Sequence, residues 1–592
     1  MTVQASARLR ALLAHRALPF AAAAVACALA SPSLTSGLAT DDYVQRAWVR
    51  ALPGTAPGCL DLFHWASGSP VELGRARWVG LVPWWASPHL KLAFLRPLAS
   101  ATHCLDYRAW PSAIGWMHAE NLLAYGLLVL AVAALYRAAT PSRATAGLAA
   151  LLFALNDAHG LTLGWIANRN ALLATLFVAV AGLAGLRALR PEGRARDSAF
   201  AALATLGALA SSEVGIAAVV YLACLALFAS GAPTSRRVRA VAPSVVAALG
   251  WVALRAALGY GTGSTSAYLG LAHASLATAR ELASRVVVLL SAAAFKWPDS
   301  DAWVRLGPTE GAAITAQAAI ALALLALVLV PVLRARPVAR AFALGTLAMS
   351  VGAAIAPPSD RLLLVLDVGV AAVLAEAVAW GCERVERRVG GSLQRALLAS
   401  FVAAVLVLHV GVAAARMPAR SRAIPDAAKL IRRASRDLHP SGARDERAFV
   451  LRGPEAFACT FAIGLGYLED GPRPRADLCL SAGPSPLVVR RHDAHTLALA
   501  PAGGFLDNPY NRVHRGPAER SRAGDRIDLD GVSAIVTRVD DAGQPMEALF
   551  HFSEPLDSAS ARWLVWDVDR YVVADLPRED GAELTLTARY AR

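Results

Sequence analysis

The sequence predicts a mainly α-helical polytopic membrane protein, with about eleven transmembrane helices and a C-terminal β-rich extracytoplasmic domain. Three observations support this fold class. The 592 residues are 56% hydrophobic, with a mean hydropathy of +0.45, which leaves too little polar surface for a soluble protein. Apolar runs of about 20 residues recur up to residue 415. Beyond it, charged residues increase and apolar residues alternate with a period of two, as in Val532–Val539.

The formal net charge is +14, and arginines in short loops account for it. Such arginines are typical of the cytoplasmic side of a membrane protein. No basic run is interleaved with aromatic residues, so a nucleic-acid partner is not expected. The histidines at 492 and 495 lack further ligands at metal-site spacing. The sequence therefore predicts a multi-pass protein of the cell (inner) membrane with no metal and no cofactor.

The N-terminal segment allows two interpretations. Arg8, Arg10 and Arg16 precede an apolar stretch over 17–30, which ends in Ala28-Leu29-Ala30. That ending is typical of a cleaved signal peptide. An uncleaved first span is favoured, because a many-span protein needs an N-terminal anchor. Either interpretation places the following residues on the outer side.

The first long outer loop covers residues 33–118. Its tryptophans suggest short helices at the membrane–water interface, with ordinary loop packing as the alternative. Cys59 and Cys104 both lie in this extracytoplasmic loop, where a disulfide is plausible. The tryptophans are Trp48, Trp65, Trp78, Trp84, Trp85 and Trp110.

The remaining spans follow from the apolar runs and the arginines between them. Residues 278–297 contain only about ten consecutive apolar residues, so an interfacial or re-entrant helix is expected there. With that interpretation the basic loops fall inside and the C-terminus falls outside. The predicted spans after the first are 121–136, 145–155, 171–186, two flanking 211–213, then 241–258, 312–333, 341–356, 361–381 and 395–414.

The C-terminal part is predicted as a helical linker over 416–440 and a β-rich soluble domain over 441–592 that folds independently. Cys459 and Cys479 lie in that domain. They could form a disulfide outside the cell, with two buried thiols as the alternative.

Asp41 and Asp42 form a carboxylate pair directly after the first span. Charged groups so close to hydrocarbon are costly, which favours a functional interpretation. A solvated turn is the alternative. Other motifs follow in a fixed order along the chain. They are Leu95-Arg96-Pro97-Leu98, Leu105-Asp106-Tyr107, His118-Ala119-Glu120-Asn121, Asn156-Asp157-Ala158-His159, Trp165-Ile166-Ala167-Asn168-Arg169, Ser211-Ser212-Glu213 and Pro357-Pro358-Ser359-Asp360-Arg361.

Together these motifs resemble the membrane glycosyltransferases of the GT-C superfamily. The similarity is greatest to the transmembrane, tetratricopeptide-repeat O-mannosyltransferase-like group and covers roughly residues 15–415. Two departures stand out. Leu161 stands where the family motif has Glu, although Asp157 could substitute for it. No helical 34-residue repeats follow the last span.

The resemblance implies a GT-C-like transmembrane domain over 1–415. It also implies transfer of a hexose, mannose in the resembled group, from a polyprenyl-phosphate donor to an acceptor hydroxyl on the outer face. The implied partners are this lipid-linked sugar, membrane lipids and an acceptor of unknown class. The implied catalytic base is Asp41 or Asp42, with the family pattern favouring Asp41. The other candidates are Arg96, Arg169 and Arg361 for the donor phosphate, and His118, Asp157, His159 and Glu213 elsewhere in the site.

Two alternatives to an enzyme remain. A catalytically inactive scaffold would bind a lipid-linked sugar or organise envelope assembly, and Leu161 favours it. A transporter would need charged or broken helices at mid-membrane. The spans contain few of these, and Arg255 and Glu376 fall near span ends.

Overall fold

The computed structural model describes residues 3–51, 57–270, 275–440, 442, 445–471 and 474–587, and it is 61% helical. The α-helices are α1 (Val3–Ala14), α2 (Leu18–Ala30), α3 (Asp41–Arg50), α4 (Pro70–Trp78), α5 (Pro97–Ala109), α6 (Ile114–Ala139), α7 (Arg143–Ala154), α8 (Ala158–Leu163), α9 (Arg169–Ala188), α10 (Ala195–Ser211), α11 (Ala217–Cys224), α12 (Thr234–Ala257), α13 (Leu276–Phe295), α14 (Ser300–Trp303), α15 (Pro308–Ala335), α16 (Pro337–Ala353), α17 (Leu363–Glu386), α18 (Ser392–Leu406), α19 (Ala413–Leu438), α20 (Ala456–Asp470) and α21 (Pro509–Arg512).

Every predicted span coincides with a helix. In the described residues, seven helical segments are long and apolar enough to cross a membrane. They are Leu18–Thr35, Ile114–Ala139, Ile166–Ala188, Thr234–Ala257, Pro308–Ala335, Asp360–Glu386 and Ser392–Leu438. The other predicted spans fall on the shorter α7, α10 and α16 and on the segment Glu213–Ala229. The predicted polytopic helical fold is confirmed, and the count of eleven crossings stays a prediction.

The segment expected to be interfacial is one continuous helix, α13, of 20 residues. Its length is about 30 Å, and it contacts α15, α16 and α17. The helix begins before the apolar run, where the Ser275 side chain caps it by accepting from the Thr278 N–H, and Arg285 is accommodated inside it. The Arg285 guanidinium donates to Glu281 one turn earlier, at 2.8 Å, and to the Ile355 carbonyl at 3.2 Å. Counting apolar residues therefore underestimated the length of this helix. Its position relative to the membrane stays a prediction.

The chain forms two compact units that do not follow the order of the sequence. The first, here called the membrane unit, comprises Met1–Phe63, Phe94–Tyr260 and Leu271–Pro425. Its core is a continuous cluster of alanine, leucine and valine with a few large rings. Two buried tyrosines fix α17 by donating to its backbone carbonyls. Tyr136 donates to Val368 at 2.7 Å, and Tyr221 donates to Val365 at 3.1 Å.

The second unit comprises His64–Ala93, Gly261–Gly270 and Asp426–Arg592, and the strands lie in it. They are β1 (His64–Ser67), β2 (Lys91–Ala93), β3 (Gly261–Gly263), β4 (Arg447–Arg452), β5 (Leu478–Cys479), β6 (Leu487–Asp493), β7 (Thr496–Pro501), β8 (Arg526–Leu529), β9 (Val532–Val539), β10 (Pro545–Phe552), β11 (Ala561–Asp567), β12 (Arg570–Val573) and β13 (Glu583–Leu586). A six-stranded antiparallel sheet has the order β13-β6-β7-β10-β9-β8. A four-stranded sheet has the order β12-β11-β4-β5, with β4 parallel to both neighbours, and β1-β2-β3 form a third. The predicted C-terminal β-rich region is confirmed.

Two tryptophans of the first loop belong to the core of the second unit. Trp84 and Trp85 are buried. The Trp84 ring meets Phe505 and Phe550 edge-on at 4.9 and 5.5 Å, and its Nε1 donates to the Leu480 carbonyl at 2.9 Å. The interfacial expectation is wrong for this pair, because a sheet core buries the rings and satisfies the indole N–H. The hydrophobic core around residues 441–592 therefore includes side chains from outside that range.

Both cysteine pairs are disulfide-bonded. Cys59–Cys104 attaches the first loop to α5, and Cys459–Cys479 links α20 to β5. The first bond constrains the helix that also carries Asp106.

Candidate active site

The two adjacent carboxylates at the start of α3 have different surroundings. Asp42 is buried, and both of its oxygens accept backbone hydrogen bonds. Oδ2 accepts from the Ala39 N–H at 2.8 Å, and Oδ1 accepts from the Ala167 N–H at 2.7 Å. Burial raises the pKa of Asp42 to about 7, while these two hydrogen bonds lower it. Asp42 thus fastens the first loop to the 3₁₀ turn Ile166–Asn168.

Asp41 is partly exposed, and no residue in the described part of the chain donates a hydrogen bond to its carboxylate. Burial raises its pKa to about 6, and the charges of Arg361 and Arg96 lower it. A carboxylate with free oxygens and a pKa near neutrality is suited to accept a proton. The preceding Thr40 has a φ of 29°, in the left-handed region that β-branched residues rarely adopt. This tight turn presents Asp41 at the first position of α3.

Arg96, whose charge acts on Asp41, is fixed by several contacts. Its guanidinium lies over the Phe94 and Phe63 rings, 4.6 and 5.0 Å from their centroids. Its Nε donates to Glu213 Oε2 at 2.8 Å, and its Nη2 lies 2.7 Å from the same oxygen in an ion pair. Stacking on rings and a two-point carboxylate contact fix the plane of an arginine fork.

Arg361 supplies the second positive charge that lowers the pKa of Asp41. Its guanidinium lies 5.1 Å from the centroid of the Trp165 ring. Within the described residues, no hydrogen bond or ion pair engages its donors. The structure thus brings four predicted site residues into one electrostatic group, namely Asp41, Arg96, Glu213 and Arg361. Of its two arginines, Arg361 has the freer fork.

Arg169 is almost completely buried, and its charge lowers the pKa of Asp42. Its Nε donates to Asn121 Oδ1 at 2.7 Å, and its Nη2 donates to the Met117 carbonyl at 2.9 Å. Its Nη1 lies 2.7 Å from Asp106 Oδ2 and 2.9 Å from Glu120 Oε2. All three nitrogens already face internal partners, so this arginine links α5, α6 and α9 and has no free fork for a phosphate.

Asp106 and Glu120 lie in motifs that the sequence analysis quoted, but neither is among its candidate site residues. Burial raises the pKa of Asp106 to about 7, Arg169 lowers it, and the hydrogen bond with Glu120 raises it. The Asp106 and Glu120 carboxyls both contact the same nitrogen of Arg169. The motif Leu105-Asp106-Tyr107 contained the signal, but the partners come from separate helices.

His118 connects the loop before Asp41 to α6. It is buried, and its Nε2 lies 3.3 Å from the Gly37 carbonyl. Gly37 lies four residues before Asp41, so this contact fixes the approach of the chain to the carboxylate pair.

Asp157 and His159 form a second, separate polar cluster. Asp157 is buried with Arg416 Nε 3.3 Å from Oδ2 and Lys296 Nζ 3.8 Å from Oδ1. His159 Nε2 lies 3.2 Å from Asp367 Oδ2, and its Nδ1 lies 2.8 Å from the Tyr125 hydroxyl. The Asp157 carboxylate is therefore engaged by two cations. Leu161, where the family motif has Glu, is buried in α8.

Lys296 and Asp367 are the members of this cluster that the sequence analysis missed. Lys296 donates to Asn156 Oδ1 at 2.6 Å, and Asn156 Nδ2 donates to Asp367 Oδ2 at 2.7 Å. Asp367 lies within the apolar α17 and is 1% exposed. An ionisable residue inside an apolar span is itself a signal of a polar site, and this signal could have identified Asp367.

Asp299, Asp301 and Asp360 bring carboxylate oxygens within 4.8 Å of one another. Arg420 donates to two of these groups, Asp299 Oδ2 at 2.9 Å and Asp360 Oδ2. An arginine therefore occupies the position where such a cluster would hold a cation.

No protein-family model and no curated protein sequence match this chain. The solved structures that are similar to this chain include the following three. The oligosaccharyltransferase of Archaeoglobus fulgidus, tethered to an acceptor peptide, has 10% identity and a TM-score of 0.42, over 78% of this chain and 64% of that one. ArnT from Cupriavidus metallidurans has 12% identity and a TM-score of 0.35, over 68% and 81%. The arabinofuranosyltransferase AftD from Mycobacteria has 15% identity and a TM-score of 0.37, over 91% and 40%.

These neighbours are GT-C membrane glycosyltransferases, the superfamily that the sequence motifs resemble. The chain covers less than two thirds of the oligosaccharyltransferase. With TM-scores below 0.5, these neighbours assign no role to any residue of this chain. The O-mannosyltransferase-like subgroup stays a prediction.

Proposed function

We propose that this protein is a membrane glycosyltransferase that moves a hexose from a polyprenyl-phosphate donor to an acceptor hydroxyl on the outer face of the cell membrane. One observation carries the proposal. Asp41 has free carboxylate oxygens and a pKa of about 6, and two arginines lie close enough to shift that pKa. Such a group combines a proton acceptor with cations for a leaving anion.

In the proposed reaction, the acceptor oxygen attacks the anomeric carbon of the sugar. The bond from that carbon to the phosphate oxygen breaks, and the electron pair leaves with the polyprenyl phosphate. Asp41 takes the proton of the acceptor hydroxyl. Arg361 binds the phosphate with its free fork, and Arg96 adds a fixed positive charge. Asp42 holds the loop in place and does not act as the base, because backbone N–H groups occupy both of its oxygens.

Polyprenyl phosphates are the carriers to test. The oligosaccharyltransferase has been solved with a dolichol-phosphate, and ArnT with undecaprenyl phosphate. For this chain, the free fork of Arg361 is the feature that suits such a headgroup. The acceptor class is open between protein, lipid and glycan.

The second candidate is an inactive scaffold that binds a lipid-linked sugar. Leu161 and the engaged carboxylate of Asp157 favour it, because the second acidic group of the resembled site is then missing. An enzyme must form product, whereas a scaffold binds the donor without releasing free polyprenyl phosphate.

The test is a donor assay with the purified full-length protein in lipid nanodiscs. Radiolabelled hexosyl phosphates of undecaprenol and dolichol are supplied together with a membrane extract as acceptor source. Release of polyprenyl phosphate with label in a new product supports the enzyme. Donor binding without release of polyprenyl phosphate supports the scaffold. If neither donor binding nor release is observed, the enzyme and the scaffold are both contradicted.

We further propose that the site and the second unit lie on the extracytoplasmic side of the cell (inner) membrane. The arginine-rich loops, such as that with Arg384, Arg387 and Arg388, support this orientation. Reporter fusions after Ser69 and after Arg592 should both report an outer location. A cytoplasmic signal from either fusion would contradict the orientation.

A further inference from the structure

Asp360, the residue before Arg361, is held from three directions. Its Oδ2 accepts a hydrogen bond from Arg420 Nη2, and its Oδ1 accepts from the Ser300 N–H at 3.1 Å. Its own N–H donates to Asp301 Oδ2 at 3.2 Å. Main chain and side chain of Asp360 are therefore both fixed, although this residue lies in a short 3₁₀ turn, Asp360–Leu362.

Arg420 hydrogen-bonds both Asp299 and Asp360. Its Nη1 donates to Asp299 Oδ2 at 2.9 Å while its Nη2 reaches Asp360. One guanidinium thus joins the segment before α14 to the 3₁₀ turn before α17. A planar fork that contacts two carboxylates sets their separation, which the single ammonium of a lysine cannot do with the same geometry.

Arg420 is itself held tightly because α19 lies against α8 at two glycines. A Cβ atom at Gly160 would lie 2.8 Å from the Arg420 Cβ, and one at Gly164 would lie 2.1 Å from the Ser421 carbonyl oxygen. Small residues four apart let two helices approach this closely. The base of the Arg420 side chain is therefore fixed relative to the turn that it contacts.

We infer that Arg420 is a positioning residue for Arg361. It fixes Asp360, and the next residue then presents its guanidinium over Trp165, where its charge reaches Asp41. The inference rests on the proposed function only where it assigns a phosphate to Arg361. The alternative is that Arg420 stabilises the fold without influencing Arg361.

The experiment uses the full-length protein in nanodiscs with Arg420→Gln, Arg420→Lys, Arg361→Gln and the double variant. Arg422→Gln is the matched control, because Arg422 lies on the same helix and is exposed. Two quantities are measured, namely the amide hydrogen exchange of a peptide spanning 357–363 and the Kd for undecaprenyl phosphate.

We expect Arg420→Gln to accelerate exchange in this peptide and to weaken lipid-phosphate binding about tenfold, as loss of a charge-assisted hydrogen bond would. Arg420→Lys should recover part of both effects, and Arg422→Gln should change neither. In the Arg361→Gln background, Arg420→Gln should cause no further loss of binding, because Arg420 acts through Arg361.

Unchanged exchange in Arg420→Gln would overturn the inference, as would a full additional loss of binding in the double variant. If the unmodified protein binds neither undecaprenyl phosphate nor, in the same assay, dolichyl phosphate, the proposed function fails and the phosphate assignment fails with it. The exchange measurement then still decides whether Arg420 holds the turn that carries Arg361.

Discussion

Asp41 and Asp42 are adjacent in the chain, yet only Asp42 has both carboxylate oxygens bonded to backbone N–H groups. Asp41 is partly exposed and faces the charges of Arg96 and Arg361. Asp42 therefore stabilises the loop, whereas the carboxylate of Asp41 is free to react.

Asp42→Asn is expected to lower the thermal stability of the membrane unit. The amide has one acceptor oxygen in place of two, so the Ala39 or Ala167 N–H loses its partner. A buried donor without a partner costs about 1–3 kcal/mol. Thermal unfolding in detergent should show a lower midpoint for Asp42→Asn than for Asp41→Asn. Equal midpoints would contradict the structural role of Asp42.

The stability conferred by Asp41 should depend on pH with a defined sign. Its pKa is raised from 3.8 to about 6 in the folded protein, so its contribution is present below pH 4 and is lost as the pH rises through 6. Asp41→Asn should therefore be more stable than the unmodified protein above pH 6, with the difference shrinking towards pH 4. Melting temperatures across this range give the comparison, and a difference independent of pH would count against the raised pKa.

Transfer should increase with pH through an apparent pKa near 6, because the base acts in its deprotonated form. Arg361→Gln should move this midpoint to higher pH, since the Arg361 charge lowers the pKa of Asp41. Profiles of kcat/KM against pH measure the shift. A midpoint that stays in place or moves to lower pH would contradict the pairing of these two residues.

Arg169→Gln should destabilise the protein far more than Arg361→Gln. Removing Arg169 leaves Asp106 and Glu120 facing each other without their cation, and breaking a buried pair in this way costs about 3–5 kcal/mol. Arg361 makes no such internal pair within the described residues. Thermal unfolding of both variants provides the test. If Arg169→Gln kept its stability but lost donor binding, Arg169 would be a phosphate ligand after all.

The sequence indicated those parts of the site that depend on local position. The apolar run over 17–30 preceded the carboxylate pair, and the ordered motifs contained Arg96 and Glu213, which form an ion pair, and Arg361, whose charge acts on Asp41. The alternation in Val532–Val539 likewise predicted β9. Each of these features lies within one short stretch of chain.

What the sequence left undetermined depends on partners that are distant in the chain. Arg169 appeared equivalent to Arg361 until α5 and α6 supplied the carboxylates that engage it. Lys296 and Asp157 are 139 positions apart, and their contact depends on how α8 and α13 are arranged. Trp84 enters a sheet core whose ring partners lie more than 400 residues later. No periodicity in one segment encodes such pairings.

The measurement that tests the central claim most directly is sugar transfer by Asp41→Asn beside Asp42→Asn, with exposed Asp426→Asn as control. Rates are divided by the amount of folded protein from size-exclusion chromatography. We expect Asp41→Asn to lose about two to four orders of magnitude in rate. Asp42→Asn should yield less folded protein but keep most of the activity per folded molecule, and Asp426→Asn should match the unmodified protein. Transfer by Asp41→Asn at the unmodified rate would contradict the assignment of Asp41 as the base.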